Sequence, residues 1–176
     1  FVLQLIDQPL ASEMPTTLSL SDRWILNRLE TVKSKLHAYY DQFRFDHLAQ
    51  LLYDFVWTDF CSWYIELAKA QCADHPERRL ASQHTLMTVL QEVLVLLHPI
   101  IPYITEAIWQ EIGQKHPLSH PSICQAAYPT PQAQWAAFDQ HAEMHWLMQT
   151  VTAIRTMRSE MQISPAKIIP VLCAGT

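Results

Sequence analysis

The chain is expected to be all-α, an antiparallel helix bundle, and three observations carry that expectation. Only two glycines accompany eleven prolines in 176 residues. Tight hairpins and glycine-rich phosphate loops therefore have almost no material, while helix stops are plentiful. Apolar side chains recur every three or four positions through several long stretches, the spacing that lines one face of a helix. Hydrophobic residues make up 49% of the chain, enough to form a core in one domain of this length.

In chain order, FVLQLI at residues 1–6 is apolar with no capping residue ahead of it, so it is expected to be the end of an earlier element. A Pro/Ser/Thr-rich linker follows to residue 17. The first full helix is predicted to start at Ser19 or Ser21, whose hydroxyl can accept an orphan backbone N–H, with Asp22 suited to the helix dipole. Leu20, Trp24, Leu29, Val32, Leu36 and Tyr40 form its inner face. The second, residues 44–69, carries one polar stripe, His47, Gln50, Asp54, Thr58, Ser62, Glu66 and Lys69. The rest of its circumference is apolar or aromatic, which predicts the central rod of the bundle, with Phe55, Phe60 and Trp63 as core. Residues 70–76 read as a loop, and the third helix, from Glu77, turns Leu80, Met87, Leu90, Leu94 and Leu97 inward. His98-Pro99 stops it, because the residue before a proline is pushed out of helical geometry, and Pro102 opens a fourth helix that Gly113 ends. Residues 114–131, with four prolines, are expected to wrap the bundle, with one extended piece at 122–126. A fifth helix is predicted over 134–161, with Phe138, Met144, Leu147, Val151, Ile154 and Met161 inward, and residues 164–176 are β-prone, the expected first strand of a following α/β element.

Composition also excludes function classes. Cys61, Cys72, Cys124 and Cys173 have no CxxC pairing, which argues against a zinc ribbon or a disulfide framework and for a reducing cytoplasm. No apolar run is expected to reach the ~20 residues that span a bilayer, and no membrane partner is expected. No P-loop, Rossmann fingerprint or nucleophile elbow occurs. His141 and His145 stand four apart, as do His116 and His120, but neither pair has a third ligand in view. No catalytic and no metal-binding residue is therefore assigned.

The formal charge of −5 gives no global attraction to nucleic acid, so any such binding needs a local basic patch. Candidates chosen by charge and exposure are Arg23 and Arg28 on the first helix, Arg44 with Phe45 where the second begins, and Arg155 with Arg158 on the fifth. A ring beside a guanidinium is the pairing that stacks an unpaired base and holds its phosphate.

The strings LSLSDRWILNRL, RFDHLAQLLYDFVWTDFCSWYIELAK, LHPIIPYITEAIWQEI and AIRTMRSEMQISPAK resemble the helical anticodon-binding domain of valyl-tRNA synthetases, which are class I aminoacyl-tRNA synthetases. The resemblance runs from about residue 18 to 171. The HPxxPxxxExxW spelling from His98 to Trp109 is shared with the isoleucine and leucine enzymes; WYIELAK and RxxRxExxISPxK point to valine. The resemblance implies that residues 1–17 end a catalytic-domain helix and its linker, 18–163 form the anticodon-binding bundle and 164–176 begin another domain. It further implies a tRNA(Val) anticodon loop and a catalytic domain of the same polypeptide as partners. That domain would use ATP and magnesium, and its HIGH-like and KMSKS-like motifs do not occur in these residues. Two alternatives stay open: a helical spacer and docking domain with little RNA affinity, or the same domain of an isoleucyl- or leucyl-tRNA synthetase.

Overall fold

A computed structural model describes residues 2–6, 10, 14–164 and 166–170, and among these no strand forms. They fall into two compact units, residues 1–140 and 141–176. In the first, α1 (Val2–Leu5) is tied down by Gln83 Nε2, which donates to the Leu5 carbonyl at 2.6 Å. Helix α2 (Leu20–Asp41) starts with a capping box: Ser19 Oγ accepts the Asp22 N–H and Asp22 Oδ2 accepts the Ser19 N–H. Ser19 is the cap, while Ser21 Oγ accepts from Gln71 Nε2 at 2.8 Å.

The aromatic helix runs without a break from Phe45 to Asp74, as α3 (Phe45–Asp54), a π-helical segment (Phe55–Tyr64) and α4 (Ile65–Asp74). The expected loop at 70–76 shrinks to His75 alone, because nothing before Pro76 breaks a helix and Ala70, Gln71 and Ala73 favour one. The π winding re-phases the side chains. With N–H groups bonded five residues back, each turn holds more residues than an α turn, and the buried set here is Phe55, Asp59, Phe60, Tyr64 and Ile65. Phe60 and Tyr64 stack at 6.1 Å. Trp63 is half-buried, whereas Tyr53 and Trp57 are 60% and 57% exposed.

That exposure corrects the central-rod expectation. Eight of the thirty residues of the aromatic helix are buried, against eleven of 22 in α2 and eleven of 22 in α5 (Pro76–Leu97). The rods at the centre are α2 and α5, which pack against each other and bury Ile25, Leu29, Val32 and Leu36 on the one and Leu86, Val89, Val93 and Leu96 on the other. Each such side chain gains about 1.5–3 kcal/mol from leaving water. Leu20 and Leu80, expected inside, are both 40% exposed; Leu20 is the first residue of its helix. The apolarity of α5 reaches a mean hydropathy of 1.3 over 18 residues, contrary to the expectation of no membrane-length run, but 61% of that window is buried inside the protein.

After the turn at His98, α6 (Pro102–Gly113) leads into the connection, which does wrap the bundle. It first returns to α6, where Trp109 Nε1 donates to the His120 carbonyl. The piece expected to be extended is a 3₁₀ turn (Ile123–Gln125), because Glu106 Oε2 accepts both the Ser122 hydroxyl and the Ile123 N–H and gathers the chain. It then crosses to α2, where Glu30 accepts the Gln132 N–H and Asn27 Nδ2 donates to the carbonyls of Trp135 and Ala136. Those two carbonyls would otherwise bond four residues ahead, so the fifth helix splits into α7 (Ala133–Ala136) and α8 (His141–Glu160).

The second unit is α8 and the turn after it. Glu143 in the first turn and Arg158 in the last complement the helix dipole. Met161, expected inside, is 71% exposed because the helix has already ended. Residues 166–170 form no strand, and the remainder of the expected strand, with Pro165, lies outside the described residues.

Candidate nucleic-acid interface

The corner between α2 and α3 gathers rings. Helix α2 ends in Tyr39 and Tyr40, and Phe43 then takes a left-handed backbone, φ 56°, at the position where a helix usually ends on glycine or asparagine. That turn brings Phe43 back beside Phe45, edge to face at 6.3 Å, while Tyr40 meets Phe45 at 6.4 Å and Tyr39 meets His47 at 5.4 Å. Tyr128 and His37 support Tyr40 from behind, with Tyr128 centred 6.1 Å from Tyr40 and 5.8 Å from His37. Partial burial raises the Tyr128 phenol above its ordinary value. Toward solvent, Phe43 is 78% and Phe45 56% exposed.

Arg44 stands between them. Its Nε and Nη2 donate to the two Asp46 oxygens at 3.1 and 3.0 Å, and Nη2 also touches His47. The Arg44 hydrogen bond holds the Asp46 carboxyl well below the usual carboxylate range, and Asp46 in turn raises the guanidinium. A guanidinium has five N–H donors, so the pairing orients Arg44 and leaves it donors for a phosphate.

Of the other sequence candidates in the same unit, Arg28 and Arg23 do not reach this corner. Arg28 Nε and Nη2 bind Asp59 Oδ2 at 2.9 and 2.8 Å, which fastens the middle of α2 to the π segment. Arg23 is exposed at the far end of α2, beside Thr16, Thr17 and Arg78; the helix from Arg23 to its end at Asp41 spans about 27 Å. Arg155 and Arg158 belong to the second unit, where Arg158 Nη2 donates to the carbonyls of Ser164 and Lys167 at 2.5 and 2.9 Å. Lys33 is wholly buried between Glu30 and Glu92, its Nζ 2.8 Å from Glu92 Oε2 and 5.3 Å from the centre of the Trp135 ring. Desolvation raises the Glu92 carboxyl.

Sequence reasoning missed Tyr39, Tyr40, Phe43 and His47. The available signal was YYDQFRF, four rings in seven residues at a helix end without a glycine. A second apolar surface, a groove of about 480 Å³ between Tyr53, Trp57, Ile100, Ile101 and Ile104, has no lysine or arginine anywhere in residues 45–64 or 98–114, and so lacks the charge that RNA requires. The HPxxPxxxExxW residues are clamps. His98 is bonded to Thr105, and Glu106 and Trp109 hold the connection.

A family model described as the anticodon-binding domain of tRNA ligase matches residues 22–172. The chain belongs to that family of helical tRNA-binding domains. Within it, the chain is 41% identical to the valine–tRNA ligase of Legionella pneumophila (strain Lens) over 155 residues, 86% of this chain and 17% of that protein. It is 40% identical to the valine–tRNA ligase of Stenotrophomonas maltophilia (strain R551-3) over 163 residues, 89% of the chain and 17% of the relative. With the valine–tRNA ligase of Xanthomonas axonopodis pv. citri (strain 306) it shares 36% over 182 residues, 100% of the chain and 19% of the relative. The chain thus spans less than a fifth of the length of the curated relatives it matches.

Proposed function

We propose that this chain is the anticodon-loop recognition module of a valine–tRNA ligase, and that the α2–α3 corner is where it meets the loop. The carrying observation is Phe43: a large ring, 78% exposed and held at positive φ, contributes little to the fold and costs backbone energy. With Phe45 it supplies two stacking faces, and Arg44 supplies the charge, which suits unpaired bases and a few phosphates. The corner binds and orients tRNA(Val); it makes no bonds. Aminoacylation belongs to a catalytic domain of the same polypeptide, which supplies ATP and magnesium chemistry, in the cytoplasm. The names of the relatives favour valine over the isoleucine and leucine alternatives.

A spacer role remains the second reading, favoured by one observation: Arg28 and Arg44 are each already paired with a carboxylate. Titrating the full-length protein with tRNA(Val) and with an anticodon-swapped transcript, at two salt concentrations, separates the two. Recognition predicts a preference for the valine anticodon and a log–log salt slope near −2 for about three single-strand-like phosphates. Equal affinity for both transcripts would leave the spacer.

A further inference from the structure

The thiols of this protein sit in very different surroundings. Cys61 is partly buried on the π segment, and burial raises its thiol. Cys124 is exposed on the Ile123–Gln125 turn, with its Sγ 3.2 Å from Nε2 of His98. The far side of that imidazole is also occupied, because Nδ1 lies 2.8 Å from Oγ1 of Thr105. Thr105 is 1% exposed, and its hydroxyl is directed at the carbonyls of Ile101 and Pro102, each 3.0 Å away. A hydroxyl has one proton, so with that proton engaged Oγ1 accepts from Nδ1–H. The lone pair of His98 is therefore on Nε2, aimed at the thiol. Glu106 holds the backbone of the same turn through the Ile123 N–H.

We propose that Cys124 and His98 form a thiol-oxidation site, at which a hydroperoxide converts Cys124 to a sulfenic acid with His98 as the base. The reactive form of a cysteine is its thiolate. Nε2 takes the Sγ proton, the sulfur attacks one peroxide oxygen, an S–O bond forms and the O–O bond breaks. Sulfur is oxidised by two electrons and the peroxide is reduced by two. The departing hydroxide takes the proton from His98 and leaves as water; one external thiol then condenses with the sulfenic acid to a mixed disulfide and water, and a second external thiol releases reduced Cys124 and carries the first away as a disulfide. The site stands on residues separate from the aromatic corner, so its test is independent of RNA recognition.

The experiment treats the full-length protein with hydrogen peroxide in the presence of dimedone and maps trapped sulfenic acid peptide by peptide. Trapping at Cys124 is expected to be at least roughly tenfold faster than at Cys61 or Cys72, as befits an exposed thiol beside a base. Uniform trapping across the three overturns the proposal. His98→Gln removes the base and is expected to bring Cys124 to within about threefold of the others; an unchanged Cys124 rate also overturns it. Global unfolding of that variant would raise trapping at Cys61 and Cys72, whereas loss of the base lowers Cys124 alone. Thr105→Val, which keeps both reacting side chains and removes the acceptor that sets the tautomer, decides in that event: a slower Cys124 supports the proposal and an unchanged one rejects it.

Discussion

Between residues 20 and 36, α2 buries an aspartate, a glutamate and a lysine, each with its partners supplied; a few residues further on, the corner from α2 into α3 leaves two phenylalanines and an arginine in water. At the buried end, Asp22 is fully enclosed and accepts the Ser19 N–H at 3.0 Å and the Tyr64 hydroxyl at 2.7 Å. Burial pushes the Tyr64 phenol far up, and Asp22 adds to that, so the phenol is a permanent donor. At the exposed end, the rings touch mostly each other. The difference separates two uses of expensive side chains. Polar groups in the core are retained because their partners hold three helices together, whereas the corner keeps apolar groups where the fold draws little from them.

Breaking the buried half should have the largest effect. Lys33→Met leaves Glu30 and Glu92 without their cation in the interior and is expected to cost about 3–5 kcal/mol, read as a lower urea midpoint. Adding Glu30→Gln and Glu92→Gln should recover more than half of that loss, and no recovery would mean that the lysine stem rather than its charge holds the site. Asp22→Ala removes the capping box and strands the Tyr64 hydroxyl, for a loss of about 2–3 kcal/mol. Thermal unfolding monitored by helix signal measures it.

The exposed half should respond in the opposite sense. Phe45→Ala is expected to shift stability by at most about 0.5 kcal/mol while weakening tRNA binding by about 1–3 kcal/mol through lost stacking. Parallel urea and tRNA titrations on one preparation would expose any failure of that separation. The smallest and most diagnostic change is Phe43→Gly. Glycine adopts positive φ without the steric cost that a side chain carries, so stability should rise by up to ~1 kcal/mol as RNA affinity falls. A variant that lost stability instead would show that Phe43 serves the fold, and the contrast between the two ends of α2 would disappear.

Much of this architecture was legible. The cap at Ser19 or Ser21 with Asp22, the stops at Pro99 and Gly113, and the wrapping connection all act through neighbours within a few residues, which is the range a sequence pattern reports. What escaped notice depended on distant partners. Arg28 and Lys33 look like ordinary surface cations until Asp59, 31 residues away, and Glu92, 59 residues away, arrive beside them. The split between α7 and α8 comes from Asn27, more than a hundred residues earlier in the chain. The π segment defeated a 3.6-residue reading because its turns are wider, with N–H groups bonded five residues back. Of the candidate interface, Arg44 and Phe45 were identifiable as a ring beside a charge at a helix start, but Phe43 required the backbone turn to be seen.

The sequence by itself determined that the chain is helical, where most helices begin and end, and which family it belongs to, because glycine scarcity, proline placement, capping and motif spelling are local properties. Only the tertiary structure decided which helices are central, which charges are spent internally and which rings remain in solvent. Those outcomes depend on what lies across an interface, and burial is a property of pairs of elements rather than of any one.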